Sequence, residues 1–239
     1  MINKKKIIIF SDFDGTITEH DVILTIMEKF APPGWIELKD KILYERTITL
    51  KDGVEKLFGL IESRKKNEII DYIKEKVKLR EGFIEFTDFC KKEKIEFNVL
   101  SGGLDFHIEP ILENFRDKLK IFSNKANFNS KNIKIDYEYL PENCILCGDC
   151  GFCKIEVIEK YPKEKFIRIL IGDSLTDLAA SKVVDIVFAR GDLIKYLEKE
   201  RSEIRDQNSE EKSQIISYIP FNNFHEVKEQ LVQKLQIMI

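Results

Sequence analysis

The apolar run Lys6-Ile7-Ile8-Ile9-Phe10 stops abruptly at Ser11-Asp12-Phe13-Asp14-Gly15-Thr16. A short, near-continuous apolar stretch of this kind predicts a strand buried on both faces. Behind it the period changes. Asp21 to Phe30, Trp35 to Tyr44, Leu50 to Ile61 and Glu68 to Val77 carry apolar residues at three- and four-residue spacing, which predicts helices. Ala31-Pro32-Pro33-Gly34 separates the first from the second. No strand pattern occurs between Thr18 and Arg80, so this stretch reads as a helical insert of roughly sixty residues, the size of a small bundle.

The rest of the chain alternates. Gly82 to Lys92 predicts a helix, Ile95 to Leu100 a strand, and Phe106 to Phe115 a helix after the turn Ser101-Gly102-Gly103. Lys120 to Phe122 reads as a short strand and Phe128 to Tyr139 as a hairpin or flap. Lys154 to Lys160 is helical, Phe166 to Ile171 a strand, Thr176 to Lys182 a helix, Ile186 to Ala189 a strand and Leu193 to Lys199 a helix. A last strand at Ile215 to Ile219 precedes a helix from Phe224 to Leu235. Repeated strand–helix units predict an α/β fold, a Rossmann-like parallel sheet flanked by helices, here with an inserted all-helical cap. The expected division is 1–17 with 81–239 as the α/β core and 18–80 as the cap.

Composition narrows the setting. The 239 residues are 43% apolar and 34% charged, an ordinary globular balance with enough chain for a sizeable core. A formal net charge of -3 leaves no basic footprint for nucleic acid. The apolar run behind Lys4 to Lys6 is too short for a secretory leader, and no stretch approaches a membrane span. A soluble cytoplasmic protein without membrane partners is the expectation. Of five cysteines, four (Cys144, Cys147, Cys150, Cys153) fall in one short loop, which suggests a local site rather than a disulfide framework.

Three strands end in polar, glycine-containing turns: Asp12-Phe13-Asp14-Gly15, Ser101-Gly102-Gly103 and Gly172-Asp173-Ser174. In a parallel sheet their carboxyl ends share one edge, where such folds place ligands. Acids gathered there are costly unless a cation or a reaction uses them. Hard oxygen donors suit Mg²⁺, and exposed backbone amides at a helix start suit phosphate oxygens. The pattern therefore points to metal-assisted chemistry on an anionic substrate, with one Asp of the pair as nucleophile and the other as acid/base.

Taken in order, Asp12-x-Asp14-x-Thr16, Ser101, Lys154 and Gly172-Asp173-x-x-x-Asp177 resemble the motifs of phosphatases of the haloacid-dehalogenase-like superfamily. The resemblance implies roles. Asp12 attacks phosphorus; Asp14 protonates the leaving group and then activates water. Mg²⁺ takes the Asp12 and Asp173 carboxylates and the Asp14 main-chain oxygen, with Asp177 behind them. Ser101, Gly102 and Lys154 bind the phosphoryl oxygens, Lys125 being the rival lysine. Members that cleave carbon–halide bonds lack the second Asp, so Asp14 favours phosphoryl transfer. The intact set of Asp12, Asp14, Ser101 and Asp173 argues against an inactive fold that merely senses a phosphorylated metabolite.

Longer strings, including Phe30-Ala31-Pro32-Pro33-Gly34-Trp35, Arg80-Glu81-Gly82-Phe83 and Cys150-Gly151-Phe152-Cys153-Lys154, resemble the methionine-salvage branch of that superfamily up to about Arg190. The implied substrate is a small phosphorylated metabolite, an enol-type sugar phosphate carrying a methylthio group. Phosphoserine, phosphocholine and phosphoethanolamine phosphatases are the alternatives, with Asp21 and Arg46 as candidate groups for an amino acid. Thr176 stands where phosphoserine enzymes usually have Asn, which weighs against that alternative. Three successive Cys-x-x-Cys steps leave a structural Zn²⁺, an iron–sulfur cluster or redox-active thiols open at the loop. Oligomeric state is not legible. Cys90 is expected to be buried and inert, and His107 to sit on a helix surface or cap.

Overall fold

The computed structural model describes residues 5–140, 149–206 and 217–238. Its strands are β1 (Lys6–Ser11), β2 (Glu96–Leu104), β3 (Lys120–Asn127), β4 (Lys134–Asp136), β5 (Phe166–Gly172), β6 (Ile186–Ala189) and β7 (Tyr218–Pro220). They form one seven-stranded sheet in the order β4-β3-β2-β1-β5-β6-β7. Every pairing is parallel except β3 with β4. Alternation along β1 assigns the two faces. Ile9 packs with the apolar side chains of α5 (Phe83–Lys92) and α10 (Phe224–Met238). Ile8 and Phe10 pack instead with α7 (Lys154–Glu159) and α8 (Leu175–Ser181). Helices thus cover both faces, as an apolar central strand requires. The helix α9 (Gly191–Asp206) follows β6.

Between β1 and α5 lie only helices: α1 (Val22–Phe30), α2 (Trp35–Leu43), α3 (Leu50–Phe58) and α4 (Lys66–Lys76), with one short 3₁₀ turn. Asp21 caps α1 by accepting from the Leu24 amide, and Thr49 caps α3 by accepting from the Asp52 amide. The two ends of this insert are tied together: Thr18 and Leu79 form an antiparallel bridge. The apolar cluster runs without a break from the insert (Ile26, Phe58, Ile69, Ile73) to the sheet (Ile9, Phe97, Ile169). A second bridge, Glu62 with Asn132, joins the insert to the β3–β4 hairpin loop.

Four expectations need correction. The helix expected over Phe106 to Phe115 is only the short α6 (Asp105–Ile108). Pro110 has no N–H to continue the ladder and its ring excludes the preceding turn, so the chain breaks into a 3₁₀ turn at Glu113–Phe115. Ser101-Gly102-Gly103 is not a turn but the end of β2, where the pairing with β3 shifts register between Leu100 and Leu104. His107 is not on a surface: it is fully buried, stacked 5.9 Å from the Phe58 ring, with neither ring nitrogen hydrogen-bonded. Burial without a partner pushes its pKa down to about 3, so it is neutral. The strand β3 also outruns its predicted end at Phe122, because Asn124 pairs with Leu104 of β2 and Lys125 to Asn127 pair across to β4. Ile215 of the expected last strand lies outside the described residues, and β7 begins at Tyr218. No helix among the described residues is long and apolar enough to cross a membrane.

Candidate active site

The carboxyl ends of β1, β2 and β5 meet because these strands are neighbours in the sheet. Hydrogen-bonding of the Asp12 amide to the Ile171 carbonyl (2.9 Å) carries the β1–β5 ladder one residue past the strand. The chain then turns: the amides of Ile17 and Thr18 both donate to the Phe13 carbonyl. This turn buries Phe13 completely and separates the two carboxylates. Asp12 points at the Lys154 Nζ, 2.5 Å away, whereas the Asp14 Oδ1 accepts from the Val22 amide at the start of α1 (2.9 Å).

Lys154 is the pivot of the site. Its Nζ also donates to the Asp177 Oδ1 at 2.6 Å, and the whole side chain is 3% exposed. The other oxygen of Asp177 accepts from the amides of Asp173 and Ser174, closing a capping box with Ser174 at the start of α8. Thr16 Oγ1 donates to Asp173 Oδ1 (3.0 Å). Carboxylate oxygens of Asp12, Asp173 and Asp177 lie within 4.8 Å of one another. Gly15 (φ +75°) and Gly172 are needed here, because a Cβ on either would strike a carboxylate, Asp173 or Asp177 respectively.

Electrostatics follow from burial. Asp12 is pushed well above its ordinary value by desolvation and by its neighbours Asp177 and Asp173, with Lys154 opposing. Asp14 is pushed up by desolvation and by Asp21 and Asp12. Asp173 rises to about 6 through burial and the Asp177 charge. Burial alone would lower Lys154, but Asp12 and Asp177 hold it above its ordinary range, so it stays charged. One lysine among these acids leaves the cluster short of positive charge, the condition a divalent cation relieves.

Ser101 is buried, its Oγ accepting from the Gly103 amide (3.0 Å). Asn124 Nδ2 donates to both the Gly102 and Gly151 carbonyls, tying the end of β2 to the loop that leads into Lys154. The rival Lys125 is 42% exposed and lies 3.6 Å from Asp105. Asp21 and Arg46 do not meet: Asp21 caps α1, and Arg46 donates to the Tyr196 hydroxyl. Phe30 is packed edge-on to Tyr72 in the apolar cluster, with Trp35 packed against that cluster. Cys144 and Cys147 lie outside the described residues. Cys153 is buried and Cys150 half-buried, its Sγ donating to the Phe152 carbonyl. Among the described residues the metal-competent cluster is the carboxylate set. Burial raises the Cys90 thiol to about 12, consistent with an inert core residue.

Sequence reasoning missed Arg80, Arg190 and Asn124 as parts of the site. Arg80 donates to the carbonyls of Gly15, Thr16 and Thr18, and Arg190 also donates to that of Gly15. All act on main-chain oxygens, a role that leaves no periodic signal.

Comparison with known proteins fits this geometry. The profile of the haloacid dehalogenase-like hydrolases matches residues 9–182. A 2-hydroxy-3-keto-5-methylthiopentenyl-1-phosphate phosphatase of Geobacillus thermodenitrificans is 44% identical over 80% of this chain and 86% of its own. Proteins of the same name from Bacillus velezensis and Bacillus cereus are each 39% identical, over 92% and 97% of this chain and 88% and 98% of theirs. A substrate-bound phosphoserine phosphatase structure shares the fold at 21% identity (TM-score 0.59), covering 81% of this chain and 90% of its own. Similarity of fold extends to a cytosolic 5'-nucleotidase IIIB bound to cytidine, at 16% identity (TM-score 0.58) over 98% of this chain and 87% of that one.

Proposed function

This chain belongs to the haloacid dehalogenase-like hydrolase family and is a phosphatase, and we propose that its substrate is 2-hydroxy-3-keto-5-methylthiopentenyl-1-phosphate, an intermediate of methionine salvage. The observation that carries the chemistry is the convergence of Asp12, Asp173, Asp177 and Lys154 at adjoining strand ends. Near-full-length identity to the methylthio-sugar phosphatases carries the choice of substrate.

In this reading a carboxylate oxygen of Asp12 attacks phosphorus as the bond to the leaving oxygen breaks, giving an aspartyl-phosphate. Lys154 opposes the burial and the neighbouring acids that raise Asp12, and so favours its anionic form. Asp14, its proton held more tightly by burial, donates that proton to the leaving oxygen. The carboxylate so formed then takes a proton from the water that hydrolyses the aspartyl-phosphate. Ser101, the Gly102 amide and Lys154 hold the phosphoryl oxygens and stabilise charge as it develops. Asp177 keeps Lys154 and the Asp173 amide in place.

The carboxylates of Asp12 and Asp173, with the Asp14 main-chain oxygen, would hold Mg²⁺, since hard oxygens in a charge-deficient cluster fit that ion. When bound, it would supply positive charge against the phosphoryl oxygens. Residues 18–80 act as a cap over the core formed by 1–17 and 81–239, reading the leaving group, in a soluble cytoplasmic enzyme.

A panel of phosphate esters tests this reading. With Mg²⁺, the methylthio-sugar phosphate is expected to be hydrolysed with kcat/KM at least about tenfold above phosphoserine, phosphocholine and phosphoethanolamine. Turnover should vanish in EDTA. A preference for phosphoserine, or full activity in EDTA, would overturn the substrate or the metal assignment respectively.

A further inference from the structure

Asp14 is held by a segment, not by a pocket. Its carboxylate accepts from the Val22 amide. Its main chain continues into Gly15–Glu19, the connection from β1 into the helical insert. That connection is gripped from the far end of the insert. The buried Arg80 donates from Nε to the Thr16 carbonyl (2.7 Å), and from Nη2 to those of Gly15 (2.6 Å), Thr18 (2.9 Å) and Glu19 (3.5 Å). The Arg80 amide donates to the Ile17 carbonyl (2.7 Å), and the Glu19 amide to that of Lys78 (3.0 Å). Arg190, at the end of β6, approaches the same Gly15 carbonyl from the core side. Gly15 itself is left-handed and sits against the Asp173 carboxylate, so its peptide has little room to turn.

We propose that Arg80 is a positioning residue for the acid/base step: its guanidinium fork locks the exit and return strands of the insert together and thereby fixes the peptide that follows Asp14. The proposal rests on the phosphatase mechanism above. A planar fork with several donors can serve successive carbonyls at once, which a lysine ammonium cannot reproduce. Those carbonyls lie within five residues of Asp14, and the Val22 amide that donates to its side chain opens α1, three residues beyond the same connection. Loosening the grip therefore displaces Asp14 relative to the leaving oxygen, while Asp12, held by the β1–β5 ladder and Lys154, keeps its place.

This separation gives the test. As Asp12 bonds to phosphorus and the P–O bond breaks, an alkoxide must receive the Asp14 proton, whereas p-nitrophenolate leaves without one. Arg80→Lys and Arg80→Gln are compared with Asp14→Asn and wild type, using kcat/KM for benzyl phosphate and for p-nitrophenyl phosphate. A positioned general acid contributes about 10²–10⁴-fold, so both Arg80 variants should lower the benzyl-to-nitrophenyl ratio by about tenfold or more, in the direction of Asp14→Asn. Because the ratio is taken on one sample, it is independent of how much of a weakened variant is folded. Adding methylguanidine to Arg80→Ala should move its ratio back towards wild type. Equal losses on both esters, with no change of ratio in either variant, would overturn the proposal and leave Arg80 a fold residue only. A wild type whose ratio is unaffected by Asp14→Asn would instead overturn the acid/base assignment on which it rests.

Discussion

Asp12→Asn is expected to lower phosphomonoester turnover by about three orders of magnitude or more while leaving the fold intact. The amide cannot form the acyl phosphate, and no other carboxylate occupies its position at the end of β1. Stability should not suffer. Asp12 is buried beside Asp177 and Asp173, a surrounding that already disfavours its charge. The substitution removes that charge, and Lys154 retains Asp177 as a partner at 2.6 Å. In the absence of divalent cation the melting temperature should stay level or rise. A variant that melts well below wild type would mean that Asp12 is held for the fold rather than for the chemistry.

Lys154→Met should cost both activity and stability. The side chain is 3% exposed and its ammonium is shared by two buried carboxylates. Removing it leaves both without their cation, which costs about 3–5 kcal/mol for a broken buried pair. Loss of one charge-stabilising donor to the phosphoryl group should lower kcat by about 10²–10³. The stability loss carries a sign in pH. The Asp12 carboxyl, raised in the folded state above its ordinary 3.8, takes up a proton as pH falls and so relieves the unpaired charge. Denaturation in urea at pH 8 and pH 5 should therefore show the larger gap between variant and wild type at pH 8. A gap that is constant, or wider at pH 5, would contradict the assignment of Lys154 as the cation of this cluster.

How much of this was legible depends on what each residue does. The Ile7–Phe10 run and the acids behind it are visible because a central strand must be apolar and its ligand edge must not be. The insert is visible because helical periodicity persists from Asp21 to Val77 with no strand pattern. The helix expected at Phe106 fails because its apolar spacing masks the cost of Pro110. The extension of β3 beyond Phe122 is hidden because Asn124, Lys125 and Asn127 look like loop, while their pairing with β2 and β4 is decided by the tertiary structure. Strand ends brought forward Asp12, Asp14, Ser101 and Asp173, and Lys154 and Asp177 came from the order of motifs. The structure gathers Asp12, Lys154, Asp173 and Asp177, and turns Asp14 towards α1 instead. Arg80 and Asn124 bond to main-chain oxygens distant in sequence, and a carbonyl carries no side-chain letter to read. His107 is hidden for a different reason: nothing in its local sequence shows that Phe58, far off in the insert, will cover it.

The central claim is that phosphate passes through a covalent bond to Asp12. Quenching the enzyme with borohydride during turnover reduces an acyl phosphate to the primary alcohol, releasing phosphate and converting the aspartate to homoserine. Peptide mass mapping should then find homoserine at position 12, and only in samples turning over substrate. An actively hydrolysing enzyme that yields unmodified Asp12, or the modification at another carboxylate, would contradict the account.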